Sequence, residues 1–334
     1  MNYREELTFA NSYKQNYLDG INDLIIKKQE ENLAIRTEYF KNYFSNQEPY
    51  RNDFKKMLGW PLVNYENNLE LNVKTEKLSD EGDYTIYRMQ FEILKGLYLT
   101  GLFFKQNCEE KLPLVILQHG GGGSPETISR VHGGTSNYND MLHRVIKYKV
   151  HGFAPQLLLW NDGYNVLFNR QLIDTQLKRL GGSITALEVF GITKIIDYFE
   201  TQPYVKNFGM VGLSYGGFYT LVVSAIDTRI KSSLSCCFFN TRDENVREDW
   251  SWFNSSALFD DAEIALLSYP RKLYISVGDK DELFKVKNGK NSFERLLKYC
   301  DNKTDWVKFT VFDGWHEFIK DDNDIESLVK DLNK

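Results

Sequence analysis

The sequence is poor in the features that mark nucleic-acid-binding, membrane and secreted proteins. Acidic residues outnumber basic ones and give a formal net charge of −5 at pH 7. No basic surplus is present to neutralise phosphates, which excludes nucleic acid as the main partner. No run approaches the roughly 18 apolar residues that a membrane span needs, and the N-terminal stretch MNYREELTFANSYKQ lacks the apolar core of a signal peptide. We therefore expect a cytoplasmic protein without a membrane partner.

Cysteine is scarce as well, and its positions do not suggest a disulfide framework or a metal site. The four residues are Cys108, Cys236, Cys237 and Cys300. None of their spacings is typical of zinc ligands, so reduced core cysteines are the favoured interpretation. The chain also lacks the Gly-Lys-Ser/Thr ending of a P-loop and the G-x-G-x-x-G of a dinucleotide-binding fold. No metal and no organic cofactor is expected.

What the sequence does contain is enough apolar material for a large core. The chain has 334 residues, of which 42% are hydrophobic and 14% aromatic. Residues 1–65 are charged and helical in pattern and form a predicted N-terminal extension. Alternating apolar and polar residues from about Leu69 to Phe104 predict an antiparallel meander.

Beyond the meander, buried strands alternate with helices. The apolar run LPLVILQ, followed by His119 and four glycines, is typical of a strand buried on both faces. The alternation predicts an α/β fold with a mostly parallel sheet flanked by helices, over a catalytic domain of residues 66–334. Thr185 and Glu188 are predicted to form a capping box at the start of the strongest helix.

Residues 212–217, GLSYGG, stand between a predicted buried strand and a predicted helix. Their pattern fits G-x-S-x-G, in which glycines permit a sharp turn that exposes the serine side chain. The N-terminus of the following helix also favours a developing negative charge nearby. Ser214 is therefore a candidate nucleophile.

A second glycine cluster, His119 to Gly123, follows the first buried strand. Glycines here let backbone N–H groups approach a substrate oxygen. The N–H groups of Gly120, Gly121 and Tyr215 are predicted to form an oxyanion hole. A flexible loop without a ligand is the alternative interpretation.

An acid and a histidine follow Ser214 in the order that a catalytic triad of this type requires. Asp279 and Asp281 both lie in the loop after the predicted strand KLYISVGD, and His316 follows the last predicted strand. A neutral imidazole there could take the Ser214 proton while a carboxylate orients it. The residues alone leave both aspartates open as the acid.

These motifs give the chain a resemblance to the α/β-hydrolases from about residue 85 to the end. HGGGG, GLSYGG, GDKD and GWHEF stand in the family order of oxyanion loop, nucleophile, acid and histidine. The chain most resembles the dienelactone hydrolase and acetyl xylan esterase-like group, which is close to the prolyl oligopeptidase catalytic domain. In this family the acid usually stands three residues after the strand-end glycine, which favours Asp281.

The resemblance implies hydrolysis of a small-molecule carboxylic ester through an acyl-enzyme, with an acetylated carbohydrate or small molecule as one candidate substrate. Two features depart from close relatives. Dienelactone hydrolases proper use a cysteine where this chain has Ser214, and no propeller domain fits into residues 1–65. The serine argues against the reaction of the dienelactone hydrolases proper. The missing propeller weakens the case for a peptidase of the prolyl oligopeptidase type.

The insertion at residues 240–270 could form a cap over the site. Trp250, Trp252 and, after the last strand, Trp315 are candidate substrate-binding residues, because flat rings suit a sugar. The alternative interpretation is that the insertion's aromatic rings pack onto its own domain. Three further hypotheses stay open: a serine peptidase or amidase with the same triad, a non-catalytic binding protein, and a homo-oligomer assembled through the N-terminal helices.

Overall fold

A computed structural model describes residues 1–65, 71–159, 168–242 and 246–334 of the chain. Two helices precede the sheet: α1 spans Asn11–Tyr39 and α2 spans Glu48–Leu58. Between them Phe40–Ser45 forms a 3₁₀ helix. No helix of the described ranges is long and apolar enough to cross a membrane.

One nine-stranded sheet organises the rest of the described chain, in the order β1-β2-β3-β5-β4-β6-β7-β8-β9. Strands β1 to β3 and β5 pair antiparallel, whereas β5, β4 and β6 to β9 pair parallel. The meander and the mostly parallel sheet are therefore confirmed. The strands are β1 Val73–Asp80, β2 Tyr84–Leu94, β3 Leu97–Gln106, β4 Leu112–Gln118, β5 His151–Pro155, β6 Val205–Leu213, β7 Ile230–Cys236, β8 Lys272–Gly278 and β9 Val307–Phe312.

Helices cover both faces of the sheet, which explains why its central strands read as continuous apolar runs. Every residue of β4 is buried, as expected for a strand with a helix layer on each side. The helices are α3 Pro125–Ile128, α4 Met141–Ile146, α5 Arg170–Arg179, α6 Ile184–Glu200, α7 Tyr215–Ile226, α8 Ser255–Leu258, α9 Asp261–Leu266, α10 Val286–Cys300 and α11 Asn323–Leu332.

Two expectations from the sequence do not carry over to the structure. Leu69, predicted to begin the meander, lies outside the described residues. The Thr185–Glu188 capping box is wrong: Ser183 is the N-cap of α6, and its side chain accepts the N–H of Ala186.

The physical reason for the incorrect capping box is that the Thr185 and Glu188 side chains have tertiary partners. The Thr185 hydroxyl donates to the Asp249 carbonyl oxygen, and Glu188 forms an ion pair with Arg170. A capping box does form at α9, where Asp260 and Glu263 satisfy each other's backbone N–H groups. Contacts between residues far apart in the chain thus override the local sequence signal.

A buried histidine in the sheet makes stability depend on pH. The Nδ1 atom of His151 accepts the N–H of Gln106 at 3.0 Å, which requires a neutral ring. Burial lowers the pKa of His151 from 6.5 to about 4. The unfolded chain therefore binds a proton on this ring near pH 6.5, whereas the folded chain binds it only near pH 4. The contribution of the neutral His151 ring to the free energy of unfolding is therefore complete above pH 6.5 and is lost as the pH falls toward 4.

We expect the free energy of unfolding to fall by about 3 kcal/mol between pH 7 and pH 4 because of this residue alone. Urea denaturation of wild type and His151→Gln at several pH values measures the effect. The variant should lose less stability over that range. Asp261, whose raised pKa of about 6 acts in the opposite direction, is common to both proteins. Equal pH slopes for the two proteins would contradict the assignment.

Candidate active site

Ser214 occupies a strained turn between β6 and α7. Its backbone has φ 60° and ψ −122°, a conformation that side-chain-bearing residues rarely adopt. Its N–H donates to the Cys236 carbonyl oxygen at 2.9 Å, which ties the turn to the end of β7. A Cβ on Gly212 would lie 2.2 Å from the Gly216 oxygen, and one on Gly216 would lie 2.1 Å from the Gln118 oxygen. Only glycine fits at these two positions.

Asp281 and His316 meet at the carboxyl ends of β8 and β9. The Nδ1 atom of His316 lies 2.8 Å from Oδ2 of Asp281. The other carboxylate oxygen of Asp281 accepts the N–H groups of Leu283 and Phe284, each at 2.9 Å. With Nδ1 donating to the carboxylate, Nε2 of a neutral His316 ring is left as the acceptor. This is the tautomer that a general base for a serine hydroxyl needs.

Asp279, the alternative acid, makes no contact with His316 among the described residues. Its side chain is exposed, and Oδ1 accepts the N–H of Gly314 at 3.1 Å. It therefore stabilises the turn before His316. The structure brings Asp281 to the histidine, as the family spacing favoured.

The glycine loop lies beside Ser214, and one of its predicted donors is already occupied. The N–H of Gly120 donates to the Tyr138 hydroxyl oxygen at 2.8 Å. The N–H of Gly121 has no acceptor within the described part of the chain. The predicted oxyanion hole therefore needs a correction: Gly121 and Tyr215 remain as candidate donors, whereas Gly120 anchors the loop to Tyr138.

The buried His119 side chain holds the glycine loop through a hydrogen bond and is not a catalytic candidate. Its ring is fully buried, with Nδ1 2.9 Å from the Gly120 carbonyl oxygen and Nε2 accepting the N–H of Leu157 at 3.3 Å. Burial lowers the pKa of His119 to about 4, so the ring is neutral at pH 7. A neutral ring can donate from one nitrogen and accept at the other, which fixes the Gly120 carbonyl.

Ser214 and His316 open into one cavity with a volume of about 310 Å³. This is near the lower end of the range for small-molecule sites, roughly 300–1,000 Å³. The cavity is lined by Gly120, Gly121, Gly122, Thr127, Ser136, Asn137, Tyr138, Leu213, Ser214, Tyr215, Arg247, Trp250, Leu283, Phe284 and His316. The two candidate oxyanion donors, the candidate nucleophile and the candidate base therefore share one small space.

The structure separates the three tryptophans that were candidate substrate contacts. Trp250 lines the cavity, and its ring centroid lies 5.0 Å from that of Tyr215. Trp252 is buried in the core against Phe54 and does not line the cavity, so its predicted role is corrected. Trp315 is 59% exposed and also lies outside the cavity lining.

A buried ionic network below the cavity was not found by sequence reasoning. The Arg170 guanidinium bonds Asp249 at 2.6 Å and Glu188 at 2.9 Å. It also donates to the Tyr219 hydroxyl oxygen at 2.7 Å. The Tyr215 hydroxyl donates to the Asp249 carboxylate at 3.1 Å. Burial, followed by the charge of Asp249, raises the pKa of Tyr215, so the phenol remains a donor.

This network joins α5, α6, α7 and the 3₁₀ turn Glu248–Trp250, and thereby holds two cavity residues, Tyr215 and Trp250. Glu188 and Asp249 stand 61 residues apart, so no local pattern could reveal the contact. The one local signal was Glu188, an acid within the apolar helix segment ITALEVFGI, whereas Arg170 and Asp249 lie in polar segments.

Arg170→Met is expected to destabilise the fold by about 3–5 kcal/mol, because it leaves Glu188 and Asp249 buried without their cation. Chemical denaturation measures this. The matched control is Arg130→Met, which breaks an exposed pair with Asp140 and should cost less than about 1 kcal/mol. Similar losses in the free energy of unfolding for both variants would show that the buried network does not stabilise the fold.

One group of the described residues has the composition of a metal site. The ligand atoms of Cys237, Asp281 and His316 lie within 4.8 Å of one another. Asp281 and His316 already satisfy each other, and the Cys237 sulfur lies 3.2 Å from the Glu317 carbonyl oxygen as a thiol donor. The hydrogen bonds of these three side chains are thus made within the chain.

Comparison with protein-family models gives no match, and comparison with curated proteins gives none either. Solved structures do match. The chain is similar to glucuronoyl esterase from Solibacter usitatus, with TM-score 0.63, 14% identity and coverage of 88% of this chain and 93% of that one. It is similar to acetyl xylan esterase 1 from Thermoanaerobacterium sp., with TM-score 0.58, 14% identity and coverage of 86% and 93%.

A third similar structure is a cold-adapted esterase from an Arctic intertidal metagenomic library. Its TM-score is 0.54 at 19% identity, and the match covers 79% of this chain and 100% of that one. At these identities the likeness concerns the architecture. The chain has the α/β-hydrolase fold, as the order of its motifs predicted.

Proposed function

We propose that this α/β-hydrolase-fold protein is a serine hydrolase that cleaves a small-molecule carboxylic ester. The observation that carries the proposal is the common cavity of Ser214 and His316, with the imidazole oriented by the buried Asp281 carboxylate. A half-buried serine on a strained turn, which opens into the same cavity as an imidazole oriented by a carboxylate, is the arrangement for nucleophilic acyl transfer. The similar structures are named as esterases, which supports an ester over other acyl compounds.

In the proposed reaction, Ser214 Oγ forms a bond to the ester carbonyl carbon while its proton passes to His316 Nε2. The oxygen that becomes negative accepts the N–H groups of Gly121 and Tyr215. Collapse of this intermediate breaks the bond to the alcohol, which takes the proton from His316. Water then attacks the acyl-enzyme by the same sequence, and releases the acid and free Ser214.

The substrate class follows from the cavity. A volume of about 310 Å³ suits a short acyl group and a compact alcohol. Trp250 and Tyr215 line the cavity, but each ring is only 2% exposed, so they shape its wall and do not offer a stacking face. The small volume, together with the carbohydrate esterases among the similar structures, favours an acetylated carbohydrate or a small acetyl ester.

We assign residues 1–65 to an N-terminal helical extension and residues 66–334 to the catalytic domain. Within the latter, residues 240–270 supply a wall of the cavity through Arg247 and Trp250.

All four cysteines are free thiols, which supports a cytoplasmic location.

The test is hydrolysis of p-nitrophenyl acetate, butyrate and octanoate and of p-nitroacetanilide by the full chain. We expect acetate and butyrate to be cleaved much faster than octanoate, and the acetyl ester faster than the matched anilide. Faster anilide cleavage would establish an amidase instead. A folded protein that cleaves none of the four compounds would favour a binding protein on this fold.

A further inference from the structure

The hydroxyl of Tyr138 lies in the active-site cavity with its proton unused. Its oxygen accepts the N–H of Gly120 at 2.8 Å, and within the described ranges this is the only hydrogen bond of the side chain. A phenol can donate as well as accept, so one donor is left over. The residue is only 4% exposed, yet it lines the cavity that holds Ser214 and His316. Because buried polar groups nearly always have partners, we expect this donor to serve a bound molecule.

The phenol oxygen stands close to both the candidate nucleophile and the candidate oxyanion donors. A Cβ on Gly120 would lie 3.4 Å from the Tyr138 oxygen and 3.2 Å from the Cβ of Ser214, so the phenol and the serine flank one small space. Gly121, whose N–H is a candidate oxyanion donor, directly follows Gly120 in the chain. The Tyr138 hydroxyl is thus one peptide unit away from the predicted oxyanion hole.

The last glycine of the loop leaves the room that this phenol occupies. A Cβ on Gly123 would overlap the Tyr138 oxygen and would lie 2.8 Å from the Cζ atom that bears it. A Cβ on Gly122, one residue earlier, would meet no atom within 4 Å. The space requirement at position 123 therefore comes mainly from the phenol, and a larger residue there would move the hydroxyl away from the cavity.

The residues on either side of Tyr138 fix its position relative to His316. The Asn137 carbonyl oxygen accepts the N–H of Phe318 at 2.8 Å, and the Asn137 amide donates to the His316 carbonyl oxygen at 3.2 Å. The Asn139 amide donates to the Phe318 carbonyl oxygen at 2.7 Å. The segment that carries the phenol is thus bound on both sides to the segment that carries the base. A donor held in this way needs little reorganisation during a reaction, which makes fixed donors effective.

We propose that the Tyr138 hydroxyl donates a third hydrogen bond to the oxyanion, beside the N–H groups of Gly121 and Tyr215. The inference rests on the proposed ester hydrolysis and adds a catalytic residue to it. No proton is transferred: the phenol keeps its proton and stabilises the negative oxygen while the bond from Ser214 forms and the bond to the alcohol breaks. The N–H of Gly120 polarises the phenol oxygen by donating to it, which strengthens the phenol as a donor.

The surroundings of the phenol keep it protonated. Burial raises the pKa of Tyr138 to about 12, although the hydrogen bond from Gly120 acts in the opposite direction. The other titratable side chains in the cavity lining are Tyr215, Arg247 and His316. The phenol is therefore neutral, and a donor, over the pH range in which a neutral His316 can act as the base.

Tyr138→Phe in the full chain is expected to lower kcat for p-nitrophenyl acetate about 10²-fold with little change in KM, since the lost bond is made only in the transition state. The matched control is Tyr43→Phe. It removes another buried phenol, which donates to the Leu266 carbonyl oxygen at 2.7 Å outside the cavity lining. The two variants should lose similar thermal stability, while kcat of Tyr43→Phe stays within about threefold of wild type. A kcat of Tyr138→Phe equal to that of wild type would overturn the proposal.

Replacement of Tyr138 by 3,5-difluorotyrosine separates donation to the oxyanion from anchoring of the loop. Fluorine lowers the phenol pKa, and the phenolate formed at higher pH still accepts the N–H of Gly120 but has no proton to donate. The kcat of this variant should fall about tenfold per pH unit above its phenol pKa, where kcat of wild type stays level. Absorbance of the phenolate locates that pKa.

A fluorinated variant that keeps the kcat of wild type after its phenolate has formed would show that Tyr138 only anchors Gly120, and would overturn the proposal. The failure of this inference can be told from the failure of the proposed function. A folded wild type that cleaves no ester overturns both, whereas an active wild type with an equally active Tyr138→Phe overturns only the role of the phenol.

Discussion

Ser214→Ala is expected to lower kcat for an acetyl ester by about 10⁶-fold, since removal of the nucleophile of a triad costs about this much. The substitution leaves the backbone of the turn in place, because the N–H of residue 214 can still donate to the Cys236 carbonyl oxygen. The thermal midpoint should therefore stay within a few degrees of that of wild type. Steady-state rates and a melting curve on the same samples measure both quantities. Turnover within tenfold of wild type would remove Ser214 from the mechanism.

Ser214→Gly serves as the companion variant. It should be equally inactive but more stable than Ser214→Ala by about 1 kcal/mol, because glycine adopts positive φ without strain. The comparison separates the chemistry of the hydroxyl from the strain of the turn. A glycine variant less stable than the alanine variant would show that φ 60° at this position carries no strain.

Asp281→Asn is expected to lower kcat by about 10⁴-fold while the loop keeps its structure. The asparagine oxygen can still accept the N–H groups of Leu283 and Phe284. Its amide nitrogen then faces Nδ1 of His316 and donates to it. The ring proton must move to Nε2, where the imidazole can no longer accept a proton from Ser214.

Asp279→Asn provides the matched control two residues away. Asp279 is exposed and bonds only the Gly314 N–H among the described residues, and an asparagine oxygen can accept the same bond. Activity should stay within about threefold of wild type, which is the scale of ordinary surface changes. A larger loss in Asp279→Asn than in Asp281→Asn would mean that the acid is Asp279.

The parts of the site that sequence could predict are those fixed by backbone geometry. Gly212 and Gly216 are required because any Cβ there would overlap a carbonyl oxygen of the turn or of the neighbouring strand. Such constraints leave a short pattern in the chain. The alternation of elements likewise predicts that Ser214, Asp281 and His316 follow the ends of strands, and the carboxyl ends of parallel strands meet at one sheet edge.

The parts that sequence could not predict depend on contacts between distant segments. The Gly120 N–H is occupied because Tyr138, 18 residues further along, reaches back to it. Trp252 lies in the core because Phe54 from the N-terminal helices packs against it. Both aromatic side chains were compatible with several positions, and only the assembled fold decides among them. The Arg170 network is hidden for the same reason.

If Ser214 is the nucleophile that becomes acylated, a fluorophosphonate should label it covalently. Intact-mass spectrometry of wild type should show one added phosphonyl group, located by peptide mapping on Ser214. Ser214→Ala should gain no mass under the same conditions. A folded wild type that stays unlabelled, or a label on another residue with Ser214 unmodified, would rule out Ser214 as the nucleophile.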